Sequence, residues 1–102
     1  MMKELIEKLE ELQSLLTQGG DTYYVDQIQE AISNGEESIW QYLCSNELWG
    51  GAGSIADQAV LENKSVRKKL EQILIEIGRF QQSVGRVNVR TEMWVSAFSA
   101  SK

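Results

Sequence analysis

The chain has 102 residues, of which 42% are hydrophobic, and it carries a formal net charge of −5 with no histidine and one cysteine. This length predicts a single domain, residues 1–102, with enough apolar residues to build its own core. The missing histidine excludes the Ser-His-Asp and Cys-His arrangements of hydrolases within this chain, and Cys44 alone cannot complete a zinc site or an internal disulfide. We therefore expect no catalytic residues, no metal and no other cofactor.

The sequence also bears on where the protein works. It has no run of about 18 apolar residues, so we expect no membrane span and no membrane partner. The first twelve residues, MMKELIEKLEEL, are charged throughout and lack the apolar stretch of a secretory signal. The lone cysteine fits a reducing compartment, which together with these features predicts a cytoplasmic protein.

Two helices are predicted before residue 34. In the first, Lys3 to Thr17, apolar residues recur at the spacing of one helical face, namely Leu5, Leu9, Leu12 and Leu16. Gly19-Gly20 ends it, and Asp21 or Thr22 is a suitable N-cap for a second helix that reaches Ser33. The short connection predicts that these two helices pack as an antiparallel hairpin.

A third helix is predicted over Glu36–Ser45, with Cys44 as a buried, inert thiol on its apolar face. A glycine loop follows, and a fourth helix begins at Ser54, before a break predicted at Glu62–Ser65. The fifth helix has the clearest pattern in the chain and should be the central one. Its apolar residues repeat at alternating intervals of four and three: Val66, Leu70, Ile73, Ile77, Phe80 and Val84. Gly78 within it indicates close packing or a slight bend.

The sequence pattern changes after Gly85. Residues 86–90, RVNVR, alternate like a short strand, and residues 91–98 suit a final helix capped by Thr91 or an extended tail, of which we favour the helix. Residues 97–102 should be disordered. The predicted fold class is all-α: an antiparallel bundle of about five helices with an irregular or short helical C-terminal tail.

The glycine loop contains Gly50, Gly51, Gly53 and Ser54, directly after Trp49. A phosphate loop of the Walker type needs a lysine after the last glycine and a strand before the first, and a dinucleotide fingerprint also needs a preceding strand. Neither condition is met. Three interpretations remain. The loop could be a tight turn whose Trp49 side chain packs in the core, or a small-anion site at the N-terminus of the next helix. It could also be a recognition loop in which Trp49 contacts a partner.

The ten residues Leu48–Asp57, LWGGAGSIAD, resemble the W-G-G-x-G-S-x-x-D core of a group of small bacterial proteins. Several proteins of that kind look like immunity partners of polymorphic toxins or other interaction modules. The resemblance implies a bacterial origin and a role in binding, and it brings no catalytic residues with it.

Charge is divided unevenly along the chain. Residues 1–62 hold 12 acidic and 2 basic residues, whereas residues 63–102 hold 3 acidic and 8 basic ones. The two parts could neutralise each other, or the acidic part could attract a basic protein. A basic cluster near the start of the fifth helix could hold nucleic acid, but the overall acidity opposes this and no nucleic-acid motif accompanies it. The cluster consists of Lys64, Arg67, Lys68 and Lys69.

These features predict a non-enzymatic protein-binding module, most concretely an immunity- or antitoxin-like inhibitor that blocks a basic, toxin-like protein. The expected contact residues are Glu30, Glu36, Glu37, Glu47, Trp49 and Asp57. Two alternatives stay open. The leucine stripe of the first helix could join two copies in a homodimer, or the glycine loop could bind a small anion.

Overall fold

The computed structural model describes residues 2–51, 53–59 and 64–100, and every regular element in these ranges is helical, so the all-α prediction is confirmed. None of the helices described is long and apolar enough to cross a membrane. The helices are α1 (Met2–Gln18), α2 (Tyr23–Ser33), α3 (Glu36–Leu43), α4 (Asn46–Trp49), α5 (Ile55–Ala59), α6 (Lys64–Val84) and α7 (Thr91–Ala100).

Helix α6 lies at the centre of the fold. It packs against α1, α5 and α7. Its positions 73, 74 and 75 are consecutive and all buried. Because successive residues of a helix point about 100° apart, burial at three of them means that neighbours cover α6 on several sides. This agrees with the expectation that the helix with the clearest apolar pattern is the central one.

Helix α1 supplies the other large part of the core. All its buried side chains are leucines, and it packs against α6 and α2. Those leucines are Leu5, Leu9, Leu12, Leu15 and Leu16. The stripe that could have joined two copies is therefore used inside one molecule. The Cα radius of gyration, 12.3 Å, is close to the ~13 Å of a compact chain of this length.

Side-chain caps set the helix boundaries in the first half. Asp21 Oδ1 accepts a hydrogen bond from the Tyr24 N–H at 2.9 Å, so Asp21 caps α2. Helix α3 ends at Leu43, two residues earlier than predicted. Ser45 instead caps the new turn α4, because its Oγ accepts from the Glu47 N–H at 3.3 Å. Of the break predicted at Glu62–Ser65, residues 62–63 lie outside the described residues, whereas Lys64 and Ser65 are the first residues of α6, so the break does not extend to them.

The final helix that we favoured over an extended tail is confirmed as α7, whereas residues 86–88 and 97–100 differ from the prediction. Residues 86–88 have no regular structure, and the described residues contain no strand with which this alternating segment could pair. Helix α7 continues to Ala100 and buries Phe98, so residues 97–100 are helical where disorder was expected. Residues 101–102, also part of that prediction, lie outside the described residues.

Candidate protein-binding surface

Trp49 lies inside the protein, so the prediction that it contacts a partner is wrong. Its side chain is 0% exposed, and its indole N–H donates to Gln81 Oε1 at 2.7 Å. Gly78 makes room for it on α6. A Cβ at Gly78 would lie 3.3 Å from the Trp49 ring and 2.3 Å from Val95 Cγ2. A tryptophan that fills such a space offers no surface to another protein. Trp40 is buried as well.

Gln81 connects three parts of the chain around Trp49. It is 0% exposed, and its amide nitrogen donates to Leu43 O at 3.1 Å and to Arg86 O at 2.9 Å. Its carbonyl oxygen is the acceptor for Trp49. Because a buried polar group must find partners, this set of hydrogen bonds fixes how α3, α4 and the end of α6 meet.

The glycine loop is a turn between α4 and α5, as one of the three interpretations had it. Gly50 must be glycine because a Cβ there would lie 2.1 Å from Asn46 O. Gly53 has a φ of +88°, which disfavours other residues. Gly51 is exposed, and its Cβ would meet only the Arg90 side chain, at 3.6 Å. Thus two of the three predicted glycines shape the turn.

Polar groups of this loop satisfy one another. Ser54 Oγ donates to Gly50 O at 3.0 Å and accepts from the Asp57 N–H at 3.2 Å. The Asp57 carboxylate accepts from the Gly53 N–H at 2.9 Å, and the Tyr24 hydroxyl donates to Gly53 O. Side chains of the chain itself therefore already accept from the Gly53 and Asp57 N–H groups. Asp57, which was predicted as a partner contact, therefore has a capping role in this turn.

Two of the expected contact residues meet in a groove between α2 and α3. Glu30 is exposed at the end of α2, and the half-buried Glu47 lies in the first turn of α4. The groove has a volume of about 330 Å³. Polar side chains dominate its lining, which comprises Gln27, Glu30, Ala31, Asn34, Ser38, Gln41, Tyr42, Ser45 and Glu47. We refer to it as the acidic groove.

Tyr42 is a fixed part of the wall of the acidic groove. Its hydroxyl donates to Gln27 Oε1 at 3.2 Å, which links α3 to α2. Burial, with the charge of Glu47 adding to it, raises the pKa of Tyr42 well above its ordinary value. The phenol therefore stays neutral near pH 7 and leaves the negative charge of the groove to Glu30 and Glu47.

The two glutamates at the start of α3 have different surroundings. Glu37 pairs with Arg86, with Oε2 to Nη2 at 2.9 Å, and this hydrogen bond raises the pKa of the guanidinium. Arg86 also lies 5.2 Å from the Trp40 ring centroid, a cation–π distance. Glu36 is exposed and forms no ion pair with a described residue. Glu37 is thus partly neutralised from within, whereas Glu36 has no such counterion among the described residues.

Sequence reasoning missed the two amides that organise the fold. Gln81 stands next to Phe80, and the apolar pattern of α6 continues without interruption from Phe80 to Val84, so the pattern gave no signal that this amide is buried. Asn88 Oδ1 accepts from the Arg90 N–H at 2.8 Å, and Thr91 Oγ1 accepts from the Asn88 N–H at 2.9 Å. Asn88 therefore fixes the turn that leads into α7, and Thr91, which was predicted to cap the helix, is its first residue and accepts back from Asn88.

Cys44 and the carboxylates are the remaining side chains that could carry out chemistry or bind a metal. Cys44 is half-buried at the end of α3, which corrects its prediction as a buried thiol, and its backbone oxygen accepts from Asn88 Nδ2 at 2.9 Å. No three His, Cys, Asp or Glu side chains of the described residues are grouped so that they could hold a metal ion.

Searches with the chain against protein-family models, curated proteins and solved structures find no match. The resemblance of Leu48–Asp57 to small bacterial proteins therefore stays a prediction.

Proposed function

We propose that this protein is a non-enzymatic, cytoplasmic binding module that inhibits a basic protein in the manner of an immunity protein or antitoxin. The acidic groove and the adjacent Glu36 form the contact surface. In this proposal the helices pack as an antiparallel bundle whose α2–α3 side faces the partner.

The observation that carries the proposal is a set of carboxylates without internal counterions. Glu30, Glu36 and Glu47 form no ion pair with any described residue. Only one ion pair in the described part joins an acid of residues 1–62 to a base of residues 63–102, namely Glu37 with Arg86. Among the described residues, the ion pairs between the two oppositely charged parts of the chain are Lys8–Glu76 and Glu37–Arg86, and neither involves a carboxylate of the acidic groove.

The groove suits an arginine or lysine of the partner. A guanidinium needs several acceptors in one place, and the groove brings carboxylates together with the amide and hydroxyl groups of Gln41, Asn34 and Ser38. The wall is held by the Tyr42–Gln27 hydrogen bond, so little ordering is required on binding. Long-range attraction between opposite charges would speed the encounter, and occlusion of the partner's basic site would inhibit it.

The proposal is tested by capturing the partner with tagged protein, identifying it by mass spectrometry and measuring binding with the purified pair. We expect a basic partner whose association rate falls steeply as salt increases, because salt screens the exposed charges. An acidic or neutral partner, or an affinity that does not change with salt, would contradict the proposal.

A further inference from the structure

The connection between α6 and α7 exposes apolar side chains to an unusual degree. Among the described residues five large hydrophobic side chains are exposed, and four of them fall between positions 84 and 93. We call these four the α6–α7 corner: Val84, Val87, Val89 and Met93, with 38%, 45%, 93% and 54% exposure. Single exposed hydrophobic residues are ordinary, but a concentration of them marks a contact surface.

The corner is held rigidly although its apolar side chains face solvent. Asn88, which is 9% exposed, lies between Val87 and Val89, and its amide nitrogen donates to Cys44 O and to Asn46 Oδ1 at 2.9 and 3.0 Å. Gln81 holds Arg86 O on the N-terminal side of the corner. A backbone held by these partly buried hydrogen bonds loses little freedom on binding, so the exposed valines are pre-organised for a contact.

Two opposite charges lie within the same segment. Arg90 and Glu92 are both exposed, and neither forms an ion pair with a described residue. A surface that carries apolar residues, a cation and an anion is complementary to itself. Around a two-fold axis, Arg90 of one copy meets Glu92 of the other, and the reverse contact follows by symmetry.

We propose that the α6–α7 corner is a two-fold interface between two copies of this chain. Its apolar side chains meet at the centre, and reciprocal Arg90–Glu92 pairs form at the edge. The interface differs from a dimer built on the leucine stripe of α1, which is buried within one molecule. It shares no residue with the acidic groove and does not depend on the proposed function.

Sedimentation velocity of the full chain tests this, over concentrations from roughly 1 μM to 1 mM. The wild-type chain should pass from monomer to dimer within this range. Val89→Ser should raise the dimer dissociation constant at least roughly tenfold, because a central apolar contact is lost. Tyr23→Ser is the matched control: Tyr23 is 62% exposed but lies outside the corner, so the dissociation constant should stay the same.

Charge reversal tests the pairing itself. Arg90→Glu and Glu92→Arg should each weaken the dimer, and the double variant should restore it. An equimolar mixture of the two single variants should form heterodimers, since their charges are then complementary. A chain that stays monomeric at every concentration, a dimer that Val89→Ser leaves intact, or a double variant as weak as the singles would overturn the proposal. Circular dichroism confirms that each variant is folded.

Discussion

Helix α1 joins the core through leucines, whereas the junction of α4, α6 and α7 is organised by the two buried amides Gln81 and Asn88. The leucines of α1 lie close together in sequence and repeat at the helical period. The amides bond to groups far away: Gln81 to Leu43 and Asn88 to Cys44. An apolar surface accepts any partner of suitable shape, whereas an amide requires specific atoms at specific distances. The free energy of unfolding should therefore depend on side-chain volume in the first region. In the second region it should depend on whether the side chain can form the same hydrogen bonds.

Loss of volume in the α1 stripe should have the largest effect. Leu9 is 1% exposed, and Leu9→Ala should lower the free energy of unfolding by about 2–5 kcal/mol because it leaves a cavity. Leu9→Met keeps the volume and should cost less than about 1.5 kcal/mol. Chemical denaturation of both variants measures this. Equal losses would show that α1 also depends on specific geometry.

A substitution that keeps the side-chain size at Gln81 should lower the free energy of unfolding more than Leu9→Met does. Gln81→Met keeps the length of the side chain but leaves the Trp49 N–H and Leu43 O without their partner. We therefore expect the free energy of unfolding to fall by about 2–3 kcal/mol. Trp49→Phe removes that N–H, and the double variant should therefore lose less than the sum of the two single variants. Strict additivity would show that the indole–amide hydrogen bond does not couple these residues.

The contrast between Leu9 and Gln81 also explains what could be predicted from sequence. The helical period of the leucines identified α1 and its buried face, and glycines after α1 and α2 located their ends. Whether the Trp49 side chain points into the core or outward could not be predicted. Its position depends on Gly78 and Gln81, about 30 residues away in sequence. The acidic groove could be anticipated only as separate glutamates, since α2 and α3 bring Glu30 and Glu47 to one groove by folding.

Gly78 tests how closely α7 and Trp49 approach α6. Gly78→Ala places a Cβ 2.3 Å from Val95 Cγ2, and crowding of this kind costs about 1–3 kcal/mol. Alanine regains about 1 kcal/mol through its helix propensity, so the net loss should be about 1 kcal/mol. Gly51→Ala is the control and should be near neutral, because its Cβ has only an ordinary contact at 3.6 Å. A stabilised Gly78→Ala variant would show that the junction has spare room.

The alkaline stability of the protein should depend on Tyr42. Because the folded state raises its pKa, the unfolded chain loses the phenol proton first, and stability falls as the pH rises above about 10. Tyr42→Phe should cost about 0.5–1.5 kcal/mol near pH 7, where the bond to Gln27 is lost. Above pH ~10 it should lose stability less steeply than the wild type. Thermal melts across pH measure both slopes, and identical slopes would contradict the assignment.

The most direct test of the proposed function compares two pairs of neutralising substitutions in binding to the purified partner. Glu30→Gln with Glu47→Gln removes two charges at the acidic groove, and Glu4→Gln with Glu10→Gln removes two exposed charges on α1. Both variants have the same net charge, so only the position of the charges differs. We predict that the groove variant binds at least roughly tenfold more weakly with a shallower salt dependence, while the α1 variant stays within about twofold of the wild type. Equal effects of the two variants would show that overall charge, and not the acidic groove, attracts the partner.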